Sequence, residues 1–206
     1  GGLALFVNVS TSSVYGRNAT DPETAPLRPA SYYGVTKLAA EALALSYHEN
    51  RLLPATSFRL FSVYGPRERP EKLFPRLIRS IVEGKPFPLY AGAAEHSRSF
   101  TYVGDIVRAI AAAGEADVPA GSVLNVSGGG SHSVNEVLDV IERLVGTNVP
   151  VDRRPRADGD VMRTGADTRS ITELLDWRPR VSLEDGLAAQ LAWVREAVSN
   201  GSLAAV

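Results

Sequence analysis

No cysteine occurs among the 206 residues, which excludes disulfides and thiolate metal sites. Histidine is nearly as scarce. His48, His96 and His132 lie far apart and form no ligand-spaced group, so no metal centre is expected. Lysine is limited to Lys37, Lys72 and Lys85, with arginine supplying the remaining positive charge. Beside so many alanines, this bias reflects genome composition rather than function. Acidic and basic residues almost cancel to a net charge of −1, so no field steers the chain toward nucleic acid or an anionic membrane. No apolar run approaches the ~18 residues of a membrane span. The lack of cysteine is compatible with the cytoplasm, the expected location. What is present is an ordinary globular composition, long enough for one full core and part of a second.

The most informative stretch is Ser31-Tyr32-Tyr33-Gly34-Val35-Thr36-Lys37. It opens a predicted helix running to about Glu49, with Val35, Leu38, Ala39, Ala42 and Leu43 on one apolar face. Tyr33 and Lys37 are four residues apart, which places them on one side of the helix, a turn from each other. A tyrosine in water titrates near ~10, so it works as a base at neutral pH only beside a cation in a partly dry site. Taken singly, a tyrosine four residues before a lysine is common and weak evidence.

Upstream, Leu3–Ser10 reads as a buried strand running into Thr11-Ser12-Ser13-Val14-Tyr15-Gly16. Parallel α/β sheets place their ligands at the carboxyl ends of strands, where this hydroxyl cluster falls. Three motifs follow one another: V-N-V-S-T-S-S-V-Y-G, S-Y-Y-G-V-T-K and R-L-F-S-V-Y-G-P-R. Together they resemble the extended short-chain dehydrogenase/reductase family, and within it the NAD-dependent sugar-nucleotide epimerases and dehydratases. The resemblance continues through F-T-Y-V-G-D-I-V-R-A and A-D-T-R-S-I-T-E-L-L-D-W-R-P, covering nearly the whole chain. It implies an α/β fold: the C-terminal part of a Rossmann-type doubly wound parallel sheet plus a small α/β substrate-binding lobe.

Members of that family begin with a strand, a G-x-x-G-x-x-G turn and a helix that holds the cofactor pyrophosphate. No such turn is present, and the only glycine cluster, Gly128-Gly129-Gly130, follows a different strand. By this comparison the sequence starts at the fifth strand, with roughly a hundred residues of mononucleotide-binding fold expected before it. Residues 1–65 are therefore expected to belong to the NAD-binding domain. Residues 66–206 are expected to form mainly the sugar-nucleotide lobe, with returns to the sheet. Further strands are predicted at Thr56–Phe61, Phe87–Tyr90, Phe100–Val103, Val123–Val126 and about Val149–Asp152. Helices are predicted at about Lys72–Glu83, Asp105–Gly114, after the Ser133-x-x-Glu136 capping box, at Ser170–Leu175 and at Leu183–Val198. Arg17–Ala30 and Ala91–Ser99 read as loops. Tyr15 and Gly16 are expected to serve the turn, and Trp177 and Trp193 to be core.

The resemblance implies a catalytic set of Thr11, Tyr33 and Lys37. In that scheme Lys37 holds the nicotinamide ribose of NAD, and Tyr33 takes the proton of a sugar hydroxyl. Thr11 hydrogen-bonds the oxygen being oxidised, a reading the surrounding motifs place well ahead of a plain turn cap. Ser10 and Phe61 join Tyr33 and Lys37 as cofactor contacts. The 4,6-dehydratases of the family usually carry Asp-Glu after the threonine, and the UDP-glucuronate decarboxylases a Glu at the second position; here these are Ser12 and Ser13. Neither serine is a general acid near neutral pH, which disfavours elimination. Two hydroxyls instead suit a substrate carboxylate, or simply cap the turn. With Ser62 and Arg69 they resemble the pattern of UDP-glucuronate 4-epimerases. Lys72, Leu73, Leu89, Tyr90 and Arg98 match the family's nucleotide-binding positions. The later R-x-G-D motif is lengthened by one residue to Arg156-Ala157-Asp158-Gly159-Asp160. Arg156 therefore competes with Arg154 and Arg163 as a phosphate ligand, while Asp160 is a candidate for the ribose. The expectation is an epimerase acting at C4 of a UDP-sugar, glucuronate preferred. UDP-glucose epimerisation, decarboxylation or dehydration are alternatives in the same class, and a non-catalytic nucleotide-sugar-binding fragment is one in another. Family members commonly dimerise through the Tyr33 helix, so a homodimer is expected, with Leu43, Leu45 and Leu77 contributing.

Overall fold

A computed structural model of the chain describes residues 2–20, 22–92, 97–155 and 163–201. In chain order the elements are β1 (Phe6–Thr11), a 3-10 turn (Ser12–Tyr15), β2 (Asn18–Ala19), α1 (Tyr32–Glu49), β3 (Ala55–Leu60), β4 (Val63–Tyr64) and α2 (Leu73–Val82). They continue as β5 (Phe87–Tyr90), β6 (Ser97–Arg98), β7 (Thr101–Tyr102), α3 (Val103–Glu115), β8 (Val123–Val126), β9 (His132–Ser133) and α4 (Val134–Val145). β10 (Val151–Arg154), β11 (Arg163–Thr164), α5 (Arg169–Leu175) and α6 (Leu183–Ser199) follow. The chain forms two compact units. The first comprises Gly1–Val63, Arg98–Ser131 and Val161–Arg180; the second Tyr64–Ser97, His132–Asp160 and Val181–Val206.

The first unit is built on a parallel sheet ordered β1-β3-β8, the α/β arrangement expected. β3 lies in the middle and is buried along nearly its whole length, as a parallel strand covered on both faces must be. The alternation of its side chains divides apolar from polar. Phe58 enters a core with Ile106, Ala109, Leu124, Val126, Ile171 and Trp177. Ser57 and Arg59 point to the other face, where α1 packs on the sheet. Register makes that face unusual for a core, because Ser10, Arg59 and Asn125 form one row across the three strands.

α1 has the predicted extent but not the predicted inner face. Gly34, Glu41 and Ala44 are its buried positions, whereas Val35 and Leu43 are 51% and 59% exposed. Ala39 and Ala42 are exposed too. The helix turns a carboxylate inward because Arg59 on β3 waits for it, and Gly34 lets the first turn of the helix come close to Ser13. β1 begins at Phe6 rather than Leu3, where the Phe6 N–H reaches the Pro54 carbonyl at 2.7 Å and pairing with β3 starts. β2 and β6 fall inside expected loops, since two-residue strands leave no periodic trace. Gly16 does serve the turn, at φ 98° with the Arg28 carbonyl where a β carbon would stand.

In the second unit β5 and β10 pair in parallel, with Tyr90 opposite Arg154. α2 buries Phe74, Leu77 and Ile78; Leu77 is fully buried, so it is a core residue and not the surface contact expected of it. Tyr64 meets the Phe74 ring edge-on at 5.0 Å and donates to the Ser182 carbonyl. The capping box predicted at Ser133 is present, with both reciprocal bonds to Glu136. Trp177 is core in the first unit, while Trp193 on α6 is only half-buried.

Candidate active site

Thr11 ends β1 in an extended conformation and caps the 3-10 turn that follows. Its Oγ1 accepts the Ser13 N–H at 3.2 Å and donates to the Ser13 Oγ at 3.3 Å. Ser12 and Ser13 are half-buried, and the first turn holds no acid. Ser31 opens α1 by accepting the Gly34 N–H at 3.1 Å, which puts Tyr33 in the first turn, 57% exposed. One turn on, the Lys37 ammonium donates to the Val9 carbonyl of β1. Helix and turn are held in contact at Gly34: an ideal β carbon there would stand 2.7 Å from the Ser13 carbonyl oxygen and 3.0 Å from Pro29 Cβ. The structure thus brings Thr11, Ser12, Ser13, Tyr33 and Lys37 to one end of the sheet, at the carboxyl end of β1.

Beneath this edge lies a polar network that sequence reasoning missed. Arg59 donates Nε to both Glu41 oxygens at 3.1 Å and Nη2 to Oε1 at 2.6 Å. Its Nη1 reaches the Tyr15 hydroxyl at 2.8 Å and the Glu23 carbonyl at 2.9 Å. Tyr15, expected only to shape the turn, donates its hydroxyl to Asn125 Oδ1 at 2.7 Å. Burial pushes the Glu41 carboxyl up, but Arg59, with the nearby Ser10 and Ser57 hydroxyls, outweighs it and holds the group below the usual carboxylate range. Burial also raises the Tyr15 phenol, which the Arg59 contact only partly opposes. One signal was available: a lone Arg inside the buried run T-S-F-R-L-F demands a counter-charge within reach.

Ser10 and Phe61, expected at the cofactor, are interior. Ser10 is 2% exposed beside Glu41. Phe61 is fully buried with Val14, Tyr15 and Ala19, and its backbone is engaged by Val126 and Thr101. Ser62 is half-buried in the first unit, its carbonyl accepting the Thr101 N–H at 3.0 Å. Arg69 belongs to the second unit, where it is exposed and pairs with Glu71 at 3.2 Å. Lys72, exposed, and Leu73, half-buried, stand at the start of α2. Leu89 and Tyr90 line a cleft of about 160 Å³ with Ala91, Gly92, Asn135, Arg153 and Arg154. Arg154 also pairs with Asp152 at 2.8 Å. Arg98 lies in β6, half-buried. Arg156 and Asp160 fall outside the described residues. Among the described residues no group of three or more His, Asp or Glu side chains is placed to hold a metal ion, and no helix is long and apolar enough to cross a membrane.

The profile of the GDP-mannose 4,6 dehydratase family matches residues 3–190. The chain belongs to this family. The UDP-glucuronate 4-epimerase of Thermodesulfobacterium geofontis is 34% identical over 200 residues, 95% of this chain and 60% of that protein. The dTDP-glucose 4,6-dehydratase of Streptomyces griseus is 37% identical over 195 residues, 93% of this chain and 59% of its own length. The UDP-glucuronic acid 4-epimerase from Bacillus cereus, solved with UDP-glucuronic acid and NAD, superimposes with a TM-score of 0.89 at 36% identity. That match covers 95% of this chain and 63% of the other. The chain therefore spans about three-fifths of the length of these relatives. Family members with both chemistries lie at similar identity, so overall similarity does not choose between epimerisation and dehydration.

Proposed function

We propose that this family member carries the catalytic and sugar-binding parts of an NAD-dependent UDP-sugar 4-epimerase, interconverting UDP-glucuronate and UDP-galacturonate through a 4-keto intermediate. The observation that carries the choice is the turn after Thr11, where Ser12 and Ser13 stand and no acid is present. Dehydration of a sugar requires a group that protonates the departing hydroxyl and another that removes a neighbouring proton; two serines supply neither. Hydroxyls beside the sugar's C6 are instead donors for a carboxylate.

The donors gathered at the end of β1 fit a nicotinamide ribose. Lys37 is anchored on the Val9 carbonyl and Tyr33 stands exposed a turn away, so an ammonium and a phenol face the same side. When bound, NAD takes the hydride from C4 and returns it. Tyr33 removes the C4 hydroxyl proton and restores it after the hydride comes back to the opposite face, which inverts C4 without net oxidation. Thr11 hydrogen-bonds the C4 oxygen and keeps it near Tyr33. The cleft at Leu89 and Tyr90, with Arg154 at its wall, is of a kind to take the uracil base and a phosphate. Residues 1–65 would then serve the cofactor, and 66–206 mainly the sugar nucleotide. The exposed Val35, Leu43 and Tyr47 on α1 support a homodimer through that helix. The test is incubation of the enzyme with UDP-glucuronate and with UDP-glucose, following products by NMR. UDP-galacturonate is expected; a 4-keto-6-deoxy sugar or a pentose would overturn the assignment.

A further inference from the structure

We propose that Glu41, Arg59 and Tyr15 are positioning residues that set the distance between the two halves of the catalytic set. The inference rests on the reading of Thr11, Tyr33 and Lys37 given above. Those groups arrive on different elements, Tyr33 and Lys37 on α1 and Thr11 at the head of the 3-10 turn. Glu41 follows Lys37 by four residues and Tyr33 by eight, so the three share one stripe of the helix. Tyr15 is the last residue of the turn that Thr11 opens.

Arg59 joins them. Its planar fork holds the Glu41 carboxylate with Nε and Nη2 while Nη1 holds the Tyr15 hydroxyl, all at 2.6 to 3.1 Å. Tyr15 is tied in turn to Asn125 on β8, and Arg59 stands over its ring at 4.9 Å from the centroid. Glu41 and Arg59 are 2% and 3% exposed, so water does not substitute for a lost partner. A hydrophobic pair would hold helix and sheet together equally well, but it has no direction. The fork fixes both the rotation of α1 and the place of the turn, because a guanidinium meets its acceptors only in its own plane. Catalysis is sensitive to that placement, since a shift of about 1 Å in reacting groups costs up to ~10²-fold in rate.

The test separates positioning from stability. In many proteins a buried ion pair is replaced by apolar residues of similar size with no loss of stability, whereas removal of one partner is strongly destabilising. In the holoenzyme, Glu41→Leu or Arg59→Met alone is therefore expected to lower the unfolding midpoint, and the Glu41→Leu/Arg59→Met double variant to recover it. The double variant is nevertheless expected to keep kcat at least about tenfold below wild type with KM for the nucleotide sugar little changed, the split that misplaced chemistry gives. A folded double variant with kcat close to wild type would overturn the proposal. Should the double variant not fold, Tyr15→Phe decides. It removes one hydroxyl and no charge, and a kcat near wild type in that protein overturns the proposal, while a tenfold fall at constant KM supports it. Tyr33→Phe, run alongside, isolates the premise: if it stays active, the catalytic reading fails and this one with it. If Tyr33→Phe is dead and Tyr15→Phe is not, only the positioning role fails.

Discussion

Gly34→Ala tests how tightly the catalytic helix is seated on the turn. In a helix interior the change to alanine gains up to about 1 kcal/mol from backbone preference alone. At Gly34 the new β carbon meets the Ser13 carbonyl oxygen at 2.7 Å, and contact becomes ordinary only from 3.4 Å. That carbonyl belongs to backbone whose N–H is already tied to Thr11, and Pro29 closes the other side at 3.0 Å, so neither neighbour yields freely. Overpacking of this kind costs about 1–3 kcal/mol. The net expectation is a loss of up to about 2 kcal/mol, with the first turn of α1 moved off Ser13. Gly114 is the internal control. It lies near the end of α3 with nothing within 4 Å of its β position, so Gly114→Ala should be neutral or stabilising by up to about 1 kcal/mol. At roughly 2–4 °C per kcal/mol for a chain of this size, thermal unfolding resolves the two variants. Because Tyr33 adjoins Gly34 and Lys37 follows one turn later on the same helix, kcat should fall as well, by about tenfold or more. A Gly34→Ala protein as stable as Gly114→Ala and fully active would refute the close contact and the catalytic placement together.

Tyr33→Phe should abolish turnover while UDP affinity, read by calorimetry, stays near wild type; a variant keeping a tenth of kcat, a barrier change of only ~1.4 kcal/mol, would refute the role. Ser13→Ala should cost roughly ten- to hundredfold in kcat/KM on UDP-glucuronate and far less on UDP-glucose, because a hydrogen bond to a carboxylate is worth about 1.5–3 kcal/mol; equal losses on both sugars would reduce Ser13 to a turn residue. Glu68 gives a pH signature: burial pushes its carboxyl up to about 7, against the Gln190 bond at 2.8 Å and the charges of Lys72 and Arg69. The unfolded chain loses this proton near 4.5, so stability should fall as pH rises from there to about 7 and then level off. Glu68→Gln should flatten that slope and raise stability at pH 8 by roughly 1–2 kcal/mol, the full shift being discounted for partial exposure; identical midpoints against pH in both proteins would sink the assignment.

Much of both units was legible because its signals are local. A four-residue spacing on a helix puts Tyr33 and Lys37 together whatever the helix packs against, and the Ser133–Glu136 box closes within a single turn. The strand of Phe87–Tyr90 and the strand of Val123–Val126 could be placed from apolar runs alone. Motif order also sufficed to indicate the family, since its residues stand in sequence before they stand in space. What faces what was settled only by tertiary structure. Apolar periodicity pointed Val35, Ala42 and Leu43 inward, yet the buried side of α1 carries Glu41, because a guanidinium on β3 outweighs the apolar gain of that face. Ser10 and Phe61 belong to motifs that suggest ligand contact; in the fold Ser10, on β1, lies beside Glu41, and Phe61, just past the end of β3, packs among Val14 and Tyr15. The units interleave three segments each, and contacts between residues such as Tyr15 and Asn125, 110 positions apart, leave no periodic mark for a sequence to show.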